Sequence, residues 1–117
     1  MTDFLKLLRT ANVERQKEWD AEGKITLSYR GNELAGEVGE ACNVIKKLAR
    51  EKLGIRGSRA TVFDLKDELA DIIICVDLIA AEFDIDLEVA IRAKFNHTTL
   101  NNNLNVYMEM YAKKFDE

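Results

Sequence analysis

Leu65-Lys-Asp-Glu68-Leu-Ala-Asp71-Ile-Ile-Ile-Cys75-Val-Asp77-Leu-Ile-Ala-Ala-Glu82-Phe83 carries the architecture of this chain. At about 100° per residue, Glu68 and Asp71 share their side of a helix with Ile72, Cys75, Leu78 and Ile79 rather than with a polar stripe. A helix that is apolar nearly all round belongs at the centre of a bundle or at an interface between copies. The two carboxylates are therefore expected to point inward, where an unpartnered charge is costly.

A second pair of acids lies upstream, in Glu37-Val38-Gly39-Glu40. Residues three apart lie on one side of a helix, so each pair can present its oxygens to a single point. Glu33 joins Glu37 and Glu40 on one line, flanked by Leu34, Val38, Ala41 and Ile45. Acid pairs at this spacing are common on solvated faces; the apolar setting of the second pair and the duplication set these apart. Four carboxylates converging from two helices repel one another unless something cationic sits between them. A hard divalent ion is the natural guest: Mg²⁺, with Mn²⁺ as a substitute, takes oxygen ligands and keeps water for a phosphate-bearing substrate.

The rest of the chain fits an all-α protein. Its 117 residues contain no proline, and the glycines fall mainly between long periodic segments. That length makes one domain, with a core over about 19–97 and 98–117 as a C-terminal tail or short helix. Helix one is expected from Asp3 to Ala21, near Gly23. Helix two should start at Ser28 or Gly31 and run to Leu53, with Gly54 closing it in the left-handed conformation. Thr61-Val62-Phe63-Asp64 reads as a capping box opening helix three, which runs to Phe83. Asp86 caps helix four, expected to reach Asn96 or beyond, and Asn101-Asn102-Asn103 interrupts it. The expected assembly is a four-helix bundle forming a homodimer or homotetramer, because four amphipathic helices leave more apolar face than a small monomer covers.

Several function classes are disfavoured. The net charge of −4 argues against sequence-blind nucleic-acid binding. No apolar run approaches the roughly 20 residues of a membrane span, and the start Met1-Thr2-Asp3 lacks a basic flank. Cys42 and Cys75 lie in apolar helical contexts without CxxC spacing, which points to a reduced, cytoplasmic protein.

Glu37-Val38-Gly39-Glu40 and Glu68-Leu69-Ala70-Asp71, in that order and spacing, resemble the ExxE and ExxD helices of the MazG-like, all-alpha nucleoside triphosphate pyrophosphohydrolases. The likeness runs from about Trp19 to Asn96 and includes the segment Phe83 to Ile91 followed by Lys94-Phe95-Asn96. It implies Mg²⁺ held by Glu37, Glu40, Glu68 and Asp71, and cleavage between the alpha and beta phosphates to a nucleoside monophosphate and pyrophosphate. Gly36 and Asn43 stand where many relatives have acids. Gly36 also resembles the deoxycytidine-triphosphate-preferring branch, whose helical aromatics are replaced here by Lys47 and Cys75. A phosphoribosyl-ATP pyrophosphohydrolase shares the metal motif, and a non-catalytic helical interaction module is a further alternative. A di-iron bundle is disfavoured, since no Glu-x-x-His occurs.

Other candidates complete the inventory. Lys94 and Asn96 match the family's Lys-containing segment and are candidates for phosphate contact. Among Lys46, Lys47, Arg50, Lys52, Arg56 and Arg59, which also complement the helix dipole, Lys47 is the named candidate. Trp19, the only tryptophan, is a candidate stacking surface for a base or else a core residue. Asn32 can reach a base edge or cap the helix, and either Glu33 or one of the four motif acids is the candidate general base. His97 has no neighbour suited to nucleophilic catalysis. Gly36 and Gly39 each cost about 1 kcal/mol relative to alanine inside a helix, which suggests a close approach there by a neighbouring helix or a ligand.

Overall fold

A computed structural model describes residues 3–110 of the chain. It contains four helices: α1 (Asp3–Trp19), α2 (Leu27–Leu53), α3 (Val62–Glu82) and α4 (Leu87–Asn101). Among the described residues there is no strand, so the all-helical expectation holds and the helix count is that of a four-helix bundle.

The helix ends are set by short polar side chains. Asp20 ends α1 two residues before Ala21, because its carboxylate turns back to accept the N–H groups of Lys24 and Ile25, both at 2.8 Å. Thr26 caps α2 by accepting from Tyr29 N–H, which starts that helix at Leu27 rather than Ser28. Gly54 closes it at φ 66°. Thr61 and Asp64 form the expected reciprocal capping box at the start of α3, and Asp86 caps α4 through Val89 N–H.

Beyond α4 the chain does not resume a helix within the described residues. It returns along α4 as an extended strap whose backbone groups are taken by α4 side chains. Thr99 Oγ1 donates to Val106 O at 2.7 Å, Asn96 both donates to and accepts from the Met108 backbone, and Arg92 donates to Glu109 O. These side chains compete for the peptide groups that another helical turn would have used. Residues 111–117 of the expected tail lie outside the described part.

Helices α2 and α3 pack antiparallel, as three matched levels show. Glu33 meets Cys75, the charge of Asp71 acts on Glu37, and Glu40 lies beside Glu68. The buried apolar residues are Ala41 and Val44 on α2 and Cys75, Leu78 and Ala80 on α3. Helix α1 crosses α3 through a polar anchor. Asp77, with 0 % exposure, accepts from Arg9 Nε at 3.0 Å and from Asn12 Nδ2 at 3.0 Å. The same Arg9 reaches Ile85 O at 2.7 Å, so one guanidinium joins α1, α3 and the turn before α4.

Helix α4 stands away from the other three. The radius of gyration is 18.0 Å, against about 13 Å for a compact chain of this length.

Replacing Arg9 by alanine leaves Asp77 buried with Asn12 as its remaining side-chain donor among the described residues. Arg9→Ala is expected to lower stability by about 3 kcal/mol, the cost of breaking a buried ion pair. The urea midpoint measures it, and an unchanged midpoint would show that the anchor is dispensable.

Candidate functional site

The site is built on the acid line of α2 and the matching turn of α3. Carboxylate oxygens of Glu37, Glu40 and Glu68 lie within 4.8 Å of one another. Glu37 and Glu68 are half-buried while Glu40 is exposed. Packing α2 against α3 in this register places these acids together.

Their proton affinities record the crowding. Burial, followed by the charges of Glu40 and Asp71, raises the Glu37 carboxyl above its ordinary value of 4.5. Burial also raises Glu68, reinforced by its hydrogen bond with Glu40 and by the charges of Glu40, Glu37 and Asp71. One oxygen of each, Glu37 Oε2 and Glu68 Oε2, is buried without a hydrogen-bond partner. Convergent, orphaned carboxylate oxygens are the donor set that a hard divalent cation takes. The trio therefore fits Mg²⁺ or Mn²⁺ chemically, and selects neither.

Asp71 brings no oxygen into that trio, but it lines a neighbouring cavity of about 300 Å³. Glu33 and Glu37 share this cavity; Ile74, Cys75 and Leu78 of α3 form its apolar side; Arg15, Gln16 and Trp19 come from α1. The Asp20 turn places Trp19 and Ile25 at its edge. Trp19 is 76 % exposed, so it serves as cavity rim and not as core.

One cavity residue, Arg30, escaped the sequence reading, whereas Cys75 was expected on the inward face of α3. Arg30 is buried, donates from Nη2 to Gln16 Oε1 at 2.8 Å, and lies 3.7 Å from Glu33 and 3.6 Å from Glu82. Its Nε has no hydrogen-bond partner. The i, i+3 spacing of Arg30 and Glu33 was the available signal, but it cannot show that Arg30 turns inward. Cys75 sits beneath Glu33, and burial plus the Glu33 and Glu37 charges push its thiol up to about 11. It is a protonated, inert wall.

The remaining candidates are dispersed. Asn32 lines a second cavity of about 380 Å³ with Tyr29, Glu33, Gly36, Glu37 and Glu40, adjoining the trio. Lys47 lies near Asp64 at the far end of α2 and lines neither cavity. Of the basic cluster, Arg50 is bonded to Ser58 O and Arg59 to Ile55 O, so both stabilise the α2–α3 loop. Lys94 lies on α4 in a separate groove, and Asn96 is committed to Met108. Within one protomer, neither is brought to the acids. Gly36 and Gly39 are not crowded by any neighbouring helix: a Cβ at either would meet no atom within 4 Å.

Comparison with protein-family models, curated proteins and solved structures returned no match.

Two expectations follow from this geometry. Because the folded chain binds the Glu37 and Glu68 protons more tightly than the unfolded chain, their stabilisation is full below the ordinary value of 4.5. It is lost as pH rises through the raised folded values. In metal-free buffer, Glu68→Gln is expected to raise the thermal midpoint at neutral pH by a few degrees and to flatten its fall with pH. Mg²⁺ should raise the midpoint of the wild type and not of the variant; a variant no more stable than wild type would show that the acids do not strain one another. Separately, Gly39→Ala has room for its methyl and should stabilise the chain by roughly 0.5–1 kcal/mol. A loss of stability in urea titration would mean that another molecule packs against this turn.

Proposed function

We propose that this chain hydrolyses a nucleoside or deoxynucleoside triphosphate to a monophosphate and pyrophosphate. The observation that supports this reading best is the joining of an orphaned carboxylate trio to a cavity that is apolar on one side and aromatic at its rim. A triphosphate ester needs both parts: a place where its negative charge is offset and a place where its nucleoside is sheltered.

Glu37, Glu40 and Glu68, with Asp71 completing the set, hold Mg²⁺ in this proposal. When bound, the ion offsets phosphate charge and lowers the pKa of a coordinated water. The chain's own residues orient the rest. Trp19 offers an aromatic face at the rim, worth perhaps 1–3 kcal/mol for a stacked base. Arg30 and Gln16 supply N–H donors at the end away from the trio, and Ile74 and Leu78 exclude water from the nucleoside side. Cys75 donates its S–H to Glu33 Oε1 at 3.7 Å. Glu33 is thereby held beside the trio by Cys75 and Arg30, where its carboxylate can accept a proton from the attacking water. The biological role consistent with this chemistry is nucleotide-pool cleansing in the cytoplasm, by a homodimer or homotetramer. Among the described residues, no helix is long and apolar enough to cross a membrane.

A panel of ribo- and deoxyribonucleoside triphosphates, assayed for pyrophosphate with Mg²⁺, tests the proposal. Glu40→Gln and Asp71→Asn should each lower turnover by about 100-fold or more while leaving helix content intact. Both carboxylates are exposed, so neither variant disturbs the core. Turnover equal to wild type in either variant, or no pyrophosphate from any member of the panel, would overturn it.

A further inference from the structure

The end of α2 projects beyond the helix it packs on. Glu40 lies beside Glu68, yet α2 continues thirteen residues past Glu40, to Leu53, while α3 begins six residues before Glu68, at Val62. At about 1.5 Å per residue, the last two turns of α2 overhang the start of α3 by about 10 Å, and the chain returns through residues 54–61. Polar bonds give this knob a fixed shape. Gly54 N–H donates to Glu51 O and Ile55 N–H to Arg50 O, while Arg50 Nη1 donates to Ser58 O at 3.1 Å and Arg59 Nη1 to Ile55 O at 2.9 Å. The Thr61–Asp64 capping box then joins it to α3.

The surface of the knob combines concentrated positive charge with uncovered apolar side chains. Lys46, Lys47, Arg50, Lys52, Arg56 and Arg59 meet one acid in that stretch, Glu51, on a chain whose total charge is −4. None of the six forms an ion pair with a described residue, although the charge of Lys47 reaches Asp64. Arg50 and Arg59 reach only carbonyl oxygens, which leaves their charge unbalanced. The helix dipole accounts for the cations of the last turn, Arg50 and Lys52, but not for Arg56 and Arg59 beyond it. Nor does it account for Leu53, Ile55, Val62 and Phe63, which are 53–74 % exposed.

We propose that this knob docks on a bilayer of anionic phospholipid, with Leu53 and Ile55 entering the headgroup boundary and the surrounding Lys and Arg side chains pairing with phosphate and carboxylate groups. Charge complementarity and the aliphatic residues together select that occupant. Clusters of about four to eight cations are drawn to an anionic leaflet, and apolar side chains beside them bury where headgroups meet acyl chains. An RNA backbone uses the same cations but offers no place for exposed aliphatic side chains. A folded acidic partner needs a hollow shaped to a projecting knob, whereas a bilayer deforms around one. Neither the acid-site cavities nor the α4 groove includes a residue of the knob. Docking of this kind needs no spanning helix, and no described helix is long and apolar enough to be one. Glu40, about 20 Å from Leu53 along α2, stays clear of the surface. The inference goes beyond the hydrolase reading and does not depend on it, since vesicle binding is read without turnover.

Co-sedimentation of the full chain with phosphatidylcholine vesicles, and with vesicles of equal parts phosphatidylcholine and phosphatidylserine, tests the docking site at about 0.1 M salt. Binding should be confined to the serine-containing vesicles and should fall as salt rises. At roughly five-fold in partitioning per cation, reversing two charges with Lys52→Glu and Arg56→Glu together should weaken it by about 100-fold or more. Leu53→Ser with Ile55→Ser should weaken it by about 10-fold or more while keeping the salt dependence. All four side chains are exposed, so helical circular dichroism should be unchanged. If either double variant loses helix content, Arg56→Glu and Ile55→Ser alone, both in the loop, give the same comparison with smaller effects. No binding to the serine-containing vesicles, equal binding to both compositions, or variants that bind like wild type would each overturn the docking site. Tighter binding to single-stranded RNA or to polyglutamate than to the vesicles would overturn it in favour of a nucleic-acid or an acidic-protein partner.

Discussion

Mutual repulsion among carboxylates on two antiparallel helices is the constraint around which this protein is organised. Glu37, Glu40 and Glu68 come together in the register of α2 against α3 that buries the apolar residues beside them, Ala41, Val44, Cys75 and Leu78. The hydrophobic contact thus enforces an electrostatic cost, visible in the raised proton affinities and in two buried oxygens without partners. Strain of this kind clusters at functional sites, and structural charge networks also carry it.

The polar contacts elsewhere determine what surrounds that cluster. Asp20 turns the chain so that Trp19 and Ile25 border the cavity, and Arg30 bridges Gln16 of α1 to Glu33 of α2. Arg9 does the same work at the other end, tying α1 to Asp77 and to the root of α4. Small buried polar anchors can define a geometry where the apolar core is too thin to define one alone, and five buried apolar residues make a thin core.

Much of this was legible in the chain as written. The capping box at Thr61, the left-handed stop at Gly54, the cap at Asp86 and the acid line Glu33–Glu37–Glu40 depend on chemistry within a few residues, and spacing reports such chemistry directly. The start of α2 and the end of α1 were displaced by one or two residues because Thr26 and Asp20 offered stronger local hydrogen bonds than the apolar pattern revealed. Asp77 could have been found as a lone acid in an apolar helix with no basic residue within a turn. Its partner Arg9 lies 68 residues away, beyond the reach of any local pattern.

By itself, then, the sequence determined four helices, most of their ends to within one or two residues, and two turns each presenting paired acids on one side. Those follow from propensity, capping and a period of 3.6, all of which act between near neighbours. Only the tertiary structure decided that three of those acids converge while Asp71 stands at the cavity wall, that Arg30 and Gln16 border the same cavity, and that Lys94 and Asn96 lie apart from it. Those outcomes depend on the register of α2 against α3 and on the hydrogen-bonded turn from Phe83 to Asp86. Both are set by contacts between residues far apart in the chain, where packing and charge act through space.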